Sequence, residues 1–68
     1  MGLRIWINGQ MKEVPQGTTA KGLLAMLGLE NALVAVERNE KVLPRSLHAE
    51  TMLEEGDRIE IVHFVGGG

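Results

Sequence analysis

Asn8-Gly9 constrains this sequence more than any other pair of residues. Both central positions of a two-residue type I′ turn need positive φ, which asparagine and glycine tolerate best. Ahead of it, Leu3-Arg4-Ile5-Trp6-Ile7 alternates with period two, so Leu3, Ile5 and Ile7 share one face of a strand. A two-residue turn then sets the register of a hairpin, with Ile7 opposite Gln10, Ile5 opposite Lys12 and Leu3 opposite Val14. Only the last pair is apolar on both sides, so the second strand reads as a sheet edge that tolerates water. Trp6 falls beside Met11 on the outer face, as a surface cross-strand pair.

After the hairpin, Pro15-Gln16-Gly17 breaks the chain and Thr19 is placed to cap a helix. Ala20, Leu23, Leu24 and Leu27 follow at i, i+3, i+4 and i+7, the buried stripe of an amphipathic helix. Gly28 takes the position just past its end, with Leu29 as the accompanying hydrophobic contact. Gly22 costs the helix up to about 1 kcal/mol relative to alanine, which close packing on a sheet would explain. Leu33-Val34-Ala35-Val36, apolar on both faces, reads as a central strand. Glu37 to Glu40 read as a turn with Asn39 at positive φ, followed by a brief strand Lys41-Val42-Leu43 that Pro44 closes. Arg45 to Leu53 holds a helical turn with Leu47 and Leu53 buried. Glu55-Gly56-Asp57 is a tight turn before a last strand from Arg58 to Val65.

A hairpin, a helix and three further strands make a mixed sheet of four or five strands with one main helix across one face. With the first strand inside and the last strand parallel beside it, this is the α+β arrangement called β-grasp, or ubiquitin-like. The domain is expected over 1–65, with 66–68 as a flexible glycine tail.

Composition removes several functions. Without cysteine there is no disulfide, thiolate metal site or thiol nucleophile. A net charge of −2 gives no basic face for nucleic acid. The longest apolar runs fall short of a membrane span and no signal-peptide pattern opens the chain, so a cytoplasmic protein is expected. His48 and His63 have no partners for metal or nucleophile chemistry and read as solvated or packed side chains. Glu54, Glu55 and Asp57 read as a solvated turn, and Ser46 has no nucleophile context.

The end of the chain is harder to explain as structure alone. In the last strand Ile59 and Ile61 point inward, yet Val62 and Phe64 fall on the outward face with Glu60. Val65 follows, and then Gly66-Gly67-Gly68. Exposed side chains of this size invite a partner, so Val62, Phe64 and Val65 are the candidate docking residues. Glycines gain nothing from packing, but they pass backbone through a slot too narrow for a Cβ. The tail is no phosphate loop, because no helix follows it and the lysine of a P-loop is missing.

Val34-Ala35-Val36, Asn39, Val42-Leu43-Pro44-Arg45, Leu53, Gly56-Asp57, Ile59-Glu60-Ile61-Val62 and Phe64-Val65-Gly66-Gly67-Gly68 together resemble the ThiS family of sulfur carriers in thiamine biosynthesis. Glu40 departs from the pattern, since the family often has glycine there. The resemblance implies a carrier and not an enzyme, with no cofactor of its own. A ThiF-like adenylating enzyme would use ATP and magnesium to activate the Gly68 carboxylate. A cysteine desulfurase or another donor would supply sulfur to make a thiocarboxylate, and a ThiG-like thiazole synthase would take that sulfur. Gly66, Gly67 and Gly68 would thread the partner's active site, and the free chain would be a monomer. Other readings are a carrier for molybdopterin synthesis or tRNA thiolation, a ubiquitin-like modifier, and a small interaction domain with an idle tail.

Overall fold

The computed structural model describes residues 1–64; Val65 and Gly66 to Gly68 lie outside it, and with them the expected flexible tail. Strands β1 (Gly2–Ile7) and β2 (Gln10–Pro15) form the hairpin in the expected register, from Ile7 opposite Gln10 to Leu3 opposite Val14. Asn8 and Gly9 turn the chain with φ of 48° and 84°. Three further strands, β3 (Val34–Arg38), β4 (Lys41–Leu43) and β5 (Arg58–His63), complete one sheet in the order β2-β1-β5-β3-β4. The last strand is thus the middle one, parallel to β1 and antiparallel to β3. This is the β-grasp arrangement, with five strands and β2 at an edge.

Helix α1 (Ala20–Met26) starts at Thr19, whose side chain accepts the Gly22 N–H at 3.0 Å. It ends in a Schellman motif: the Leu29 N–H reaches the Leu24 carbonyl at 2.8 Å and the Gly28 N–H reaches that of Ala25 at 3.1 Å. Ala20, Leu23 and Leu24 pack onto Leu3, Ile5, Val14, Val36, Leu53, Ile59 and Ile61, the inward residues of the sheet and its connections. Gly22 is not explained by contact with the sheet. A Cβ there would meet only Thr19 Oγ1 at 3.4 Å and Thr18 Cγ2 at 3.8 Å.

Four expectations fail locally. Glu37 and Arg38 belong to β3, not to a turn, and the two-residue turn is Asn39-Glu40 with φ of 52° and 71°. Leu33 precedes the strand and is exposed. In the segment after Pro44, a 3₁₀ turn spans Arg45–Leu47, and its single-turn pitch leaves Leu47 outside while His48 is buried. The His48 ring is fixed by its Nε2, 3.0 Å from the Leu43 carbonyl.

The fourth concerns Asp57, which is 5% exposed and not part of a solvated turn. One carboxylate oxygen accepts from Arg38 Nε at 2.8 Å and from the Glu54 N–H at 2.8 Å, and the other accepts from Asn39 Nδ2 at 3.1 Å. Arg38 also reaches the exposed Glu54 carboxylate at 2.9 Å. Burial alone would push the Asp57 carboxyl up; the Glu54 amide, the Arg38 guanidinium and the Asn39 amide outweigh it and hold the carboxyl below its ordinary value. The folded value therefore lies under the unfolded one. The stabilisation is complete above the usual carboxylate range, about pH 4, and is lost as the pH falls through the lower folded value.

Two outcomes follow from these contacts. Asp57→Asn is expected to cost about 1–3 kcal/mol at neutral pH. In urea unfolding, its deficit against the parent narrows below about pH 4; a constant deficit would show that the charge is not its source. At the second hairpin, Glu40 sits in the left-handed region that favours glycine, so Glu40→Gly is expected to gain up to about 1 kcal/mol after glycine's own entropy cost. A lower thermal midpoint for that variant would contradict this reading.

Candidate functional site

Strand β5 alternates until its last turn inward. Ile59 and Ile61 are buried under α1, while Arg58, Glu60 and Val62 face the opposite side of the sheet. Val62 is 52% exposed and Phe64, which continues the alternation, is 61% exposed. Nothing among the described residues covers them, because the single α-helix lies on the other face. Two of the three expected docking residues are therefore open to a partner. Val65, the third, lies outside the described residues, as do Gly66, Gly67 and Gly68.

The structure enlarges this patch. Ala35 lies opposite Val62, and the Leu33 carbonyl accepts the Phe64 N–H at 3.1 Å. Leu33 is 62% exposed, and Val42, opposite Glu37 on β4, is 72% exposed. Trp6 and Met11 occupy the same face on the hairpin. Leu33, Ala35 and Val42 were not expected there, although a signal existed. Leu33 to Val36 is apolar on both faces, whereas the sequence provides one helix and so covers one face only. An apolar residue on the uncovered face is left without cover by the described residues.

Glu37 lies directly opposite Glu60 on that same face. Like charges at facing positions repel, and a cation from outside would relieve them. The acids singled out from the sequence sit elsewhere. Glu54 and Asp57 bind Arg38, and Glu55 accepts the Arg4 N–H at 2.8 Å and Arg4 Nε at 2.9 Å, all before β5 begins. The Arg4 amide and guanidinium hold the Glu55 carboxyl below its ordinary value. These groups fasten the turn at the end of β5 remote from Phe64.

Among the described residues, no three His, Asp or Glu side chains gather closely enough to hold a metal ion. His48 is committed to Leu43 and His63 is exposed at the end of β5. No helix among the described residues is long and apolar enough to cross a membrane.

Comparison with known proteins agrees in sequence and in shape. The model of the ThiS family matches residues 5–68, a span that includes all three terminal glycines. A thiazole synthase of Magnetococcus marinus is 46% identical over 66 residues, which is 97% of this chain and 20% of that protein. The chain thus spans about a fifth of the length of such relatives. The sulfur carrier protein ThiS of Bacillus subtilis is 50% identical over 50 residues, covering 74% of this chain and 76% of that protein. The crystal structure of the thiamine biosynthesis protein ThiS from Geobacter metallireducens superposes with a TM-score of 0.80 at 32% identity, covering 97% of this chain and all of that one. A β-grasp sheet with one helix, an open apolar face at the end of β5 and a family match that runs into Gly68 lead to one conclusion: this chain belongs to the ThiS family.

Proposed function

We propose that this chain is a sulfur carrier for thiazole formation in thiamine biosynthesis, with the Gly68 carboxylate as the carrying group. The observation that supports this most directly is the continuity of the family match through Val65 and the glycines to Gly68. A carboxylate resists attack by nucleophiles because its charge is delocalised over two oxygens. Attack of one oxygen on the α-phosphorus of ATP, with loss of pyrophosphate, gives an acyl adenylate whose AMP is a good leaving group. Hydrosulfide, or a donor persulfide whose S–S bond a second thiol then cleaves to a disulfide, displaces AMP and leaves a thiocarboxylate, itself a nucleophile. The chain lacks cysteine, so no internal thiol competes for the activated terminus.

In this reading the domain binds and the tail reacts. Val62, Phe64, Leu33 and Val42 supply the apolar contact, and the opposed Glu37 and Glu60 favour a partner with a basic group beside its apolar surface. The adenylating enzyme supplies the ATP site, magnesium and the acid–base groups. A thiazole synthase is the expected acceptor, since relatives bearing that name contain a segment similar to this chain. The chain is then a co-substrate and not a catalyst.

Removal of Gly67 and Gly68 separates the two parts. The shortened chain is expected to keep its thermal midpoint and to release no pyrophosphate with an adenylating enzyme and ATP; continued release would place the reactive group elsewhere. Val62→Asp with Phe64→Asp tests the face. Both positions are more than half exposed, so stability changes by less than about 1 kcal/mol. The KM for the carrier is expected to rise at least about tenfold, as loss of a docking contact worth over 1.4 kcal/mol requires. An unchanged KM would remove the patch from the interface.

A further inference from the structure

Strand β1 leaves β5 early. The parallel pairing consists of Trp6 with Arg58 and Ile7 with Ile59, joined by the Trp6 N–H to the Asp57 carbonyl and the Asn8 N–H to the Ile59 carbonyl, each 2.9 Å. At Asn8 the main chain turns away, and the next rung would leave the N–H and C=O of Ile61 without partners. The Asn8 side chain fills that rung. Its Oδ1 accepts the Ile61 N–H at 2.8 Å and its Nδ2 donates to the Ile61 carbonyl at 3.2 Å. A carboxamide offers the same acceptor and donor as a peptide group, so the ladder runs one rung beyond the strand that began it.

That rung is also where the burial of β5 ends. Ile61 is 7% exposed, whereas Val62 and Phe64 are more than half exposed. Past Ile61 the described pairing of β5 is to one side only, with Ala35, Val34 and Leu33. Six residues lie between Ile61 and Gly68, a reach of at most about 25 Å when extended. For a carrier, the anchor of this tether matters. It sets the effective concentration of the terminal group in the partner's site once the face has docked.

We propose that Asn8 is a positioning residue for the carrier reaction, closing the β1 edge of β5 at Ile61, the last residue before the terminus at which that strand is held from both sides. The proposal rests on the carrier reading above. It assigns Asn8 two separable roles, a left-handed turn conformation and a carboxamide rung, and only the second bears on delivery. Loss of the rung leaves docking intact and adds freedom to the tether. Each backbone residue that must then be ordered again on reaching the active site costs about 1–2 kcal/mol, a factor of roughly five or more in rate.

Asn8→Gly makes the separation, because glycine keeps the positive φ and removes the carboxamide. Asn8→Asp keeps an acceptor for the Ile61 N–H and sets a carboxylate oxygen against the Ile61 carbonyl. The full chain and both variants are compared by amide hydrogen exchange and by pyrophosphate release with an ATP-dependent adenylating enzyme. For Asn8→Gly we expect faster exchange at Ile61 with Val36 still protected, an unchanged KM and a kcat at least about fivefold lower. Asn8→Asp should retain more of the Ile61 protection and fall between the two in kcat. Lost Ile61 protection with kcat unchanged in either variant would overturn the proposal, as would an Ile61 amide still protected in Asn8→Gly. A parent chain that releases no pyrophosphate overturns the carrier reading instead, and the positioning role with it.

Discussion

Hydrogen bonding along both edges of β5 is the interaction on which the rest of this molecule depends. The strand nearest the chain terminus is the middle of the sheet, flanked by β1 and β3. A central strand cannot be drawn out without breaking the ladders on both of its edges. Both turns of the type I′ kind contribute to this. Asn8 clasps Ile61 at one end of β5, and at the other Asn39 donates its N–H to the Arg58 carbonyl at 2.8 Å and accepts the Arg58 N–H at 2.9 Å. Two asparagines that turn their own hairpins therefore also fasten the same third strand.

The single helix has the complementary consequence. Covering one face of a five-stranded sheet suffices for a core built on Ile5, Leu23, Ile59 and Val14, and leaves the other face uncovered by the described residues. On that face Val62, Phe64 and Leu33 lie together where β5 ends, and Trp6 and Met11 lie beside its start. An anchored strand, an open contact surface and a terminal carboxylate thus lie in sequence along one direction of the chain.

Much of this was legible in the residues. Asn8-Gly9 and the period-two run ahead of it determine the hairpin register, because a turn with two positive φ values leaves no slack. Thr19, Gly28 and Leu29 likewise mark the helix ends by local chemistry. What was not legible depends on contacts between distant segments. Asp57 looks like a solvated turn acid until Arg38, 19 residues away, is brought to 2.8 Å from it. The role of Asn8 toward Ile61, 53 residues on, follows from the sheet order and not from either residue. Glu40 misled in a different way, because a charged residue by itself gives no sign of the left-handed conformation it adopts.

The account makes the domain a handle and Gly68 the reactive group. The most direct test is the intact mass of the full chain after incubation with an adenylating enzyme, ATP and a sulfur donor, with fragmentation to locate any change. Replacement of one oxygen by sulfur, confined to the Gly68 carboxylate, is the predicted result. An unchanged mass under conditions that charge a known carrier, or sulfur found at any other residue, would contradict it.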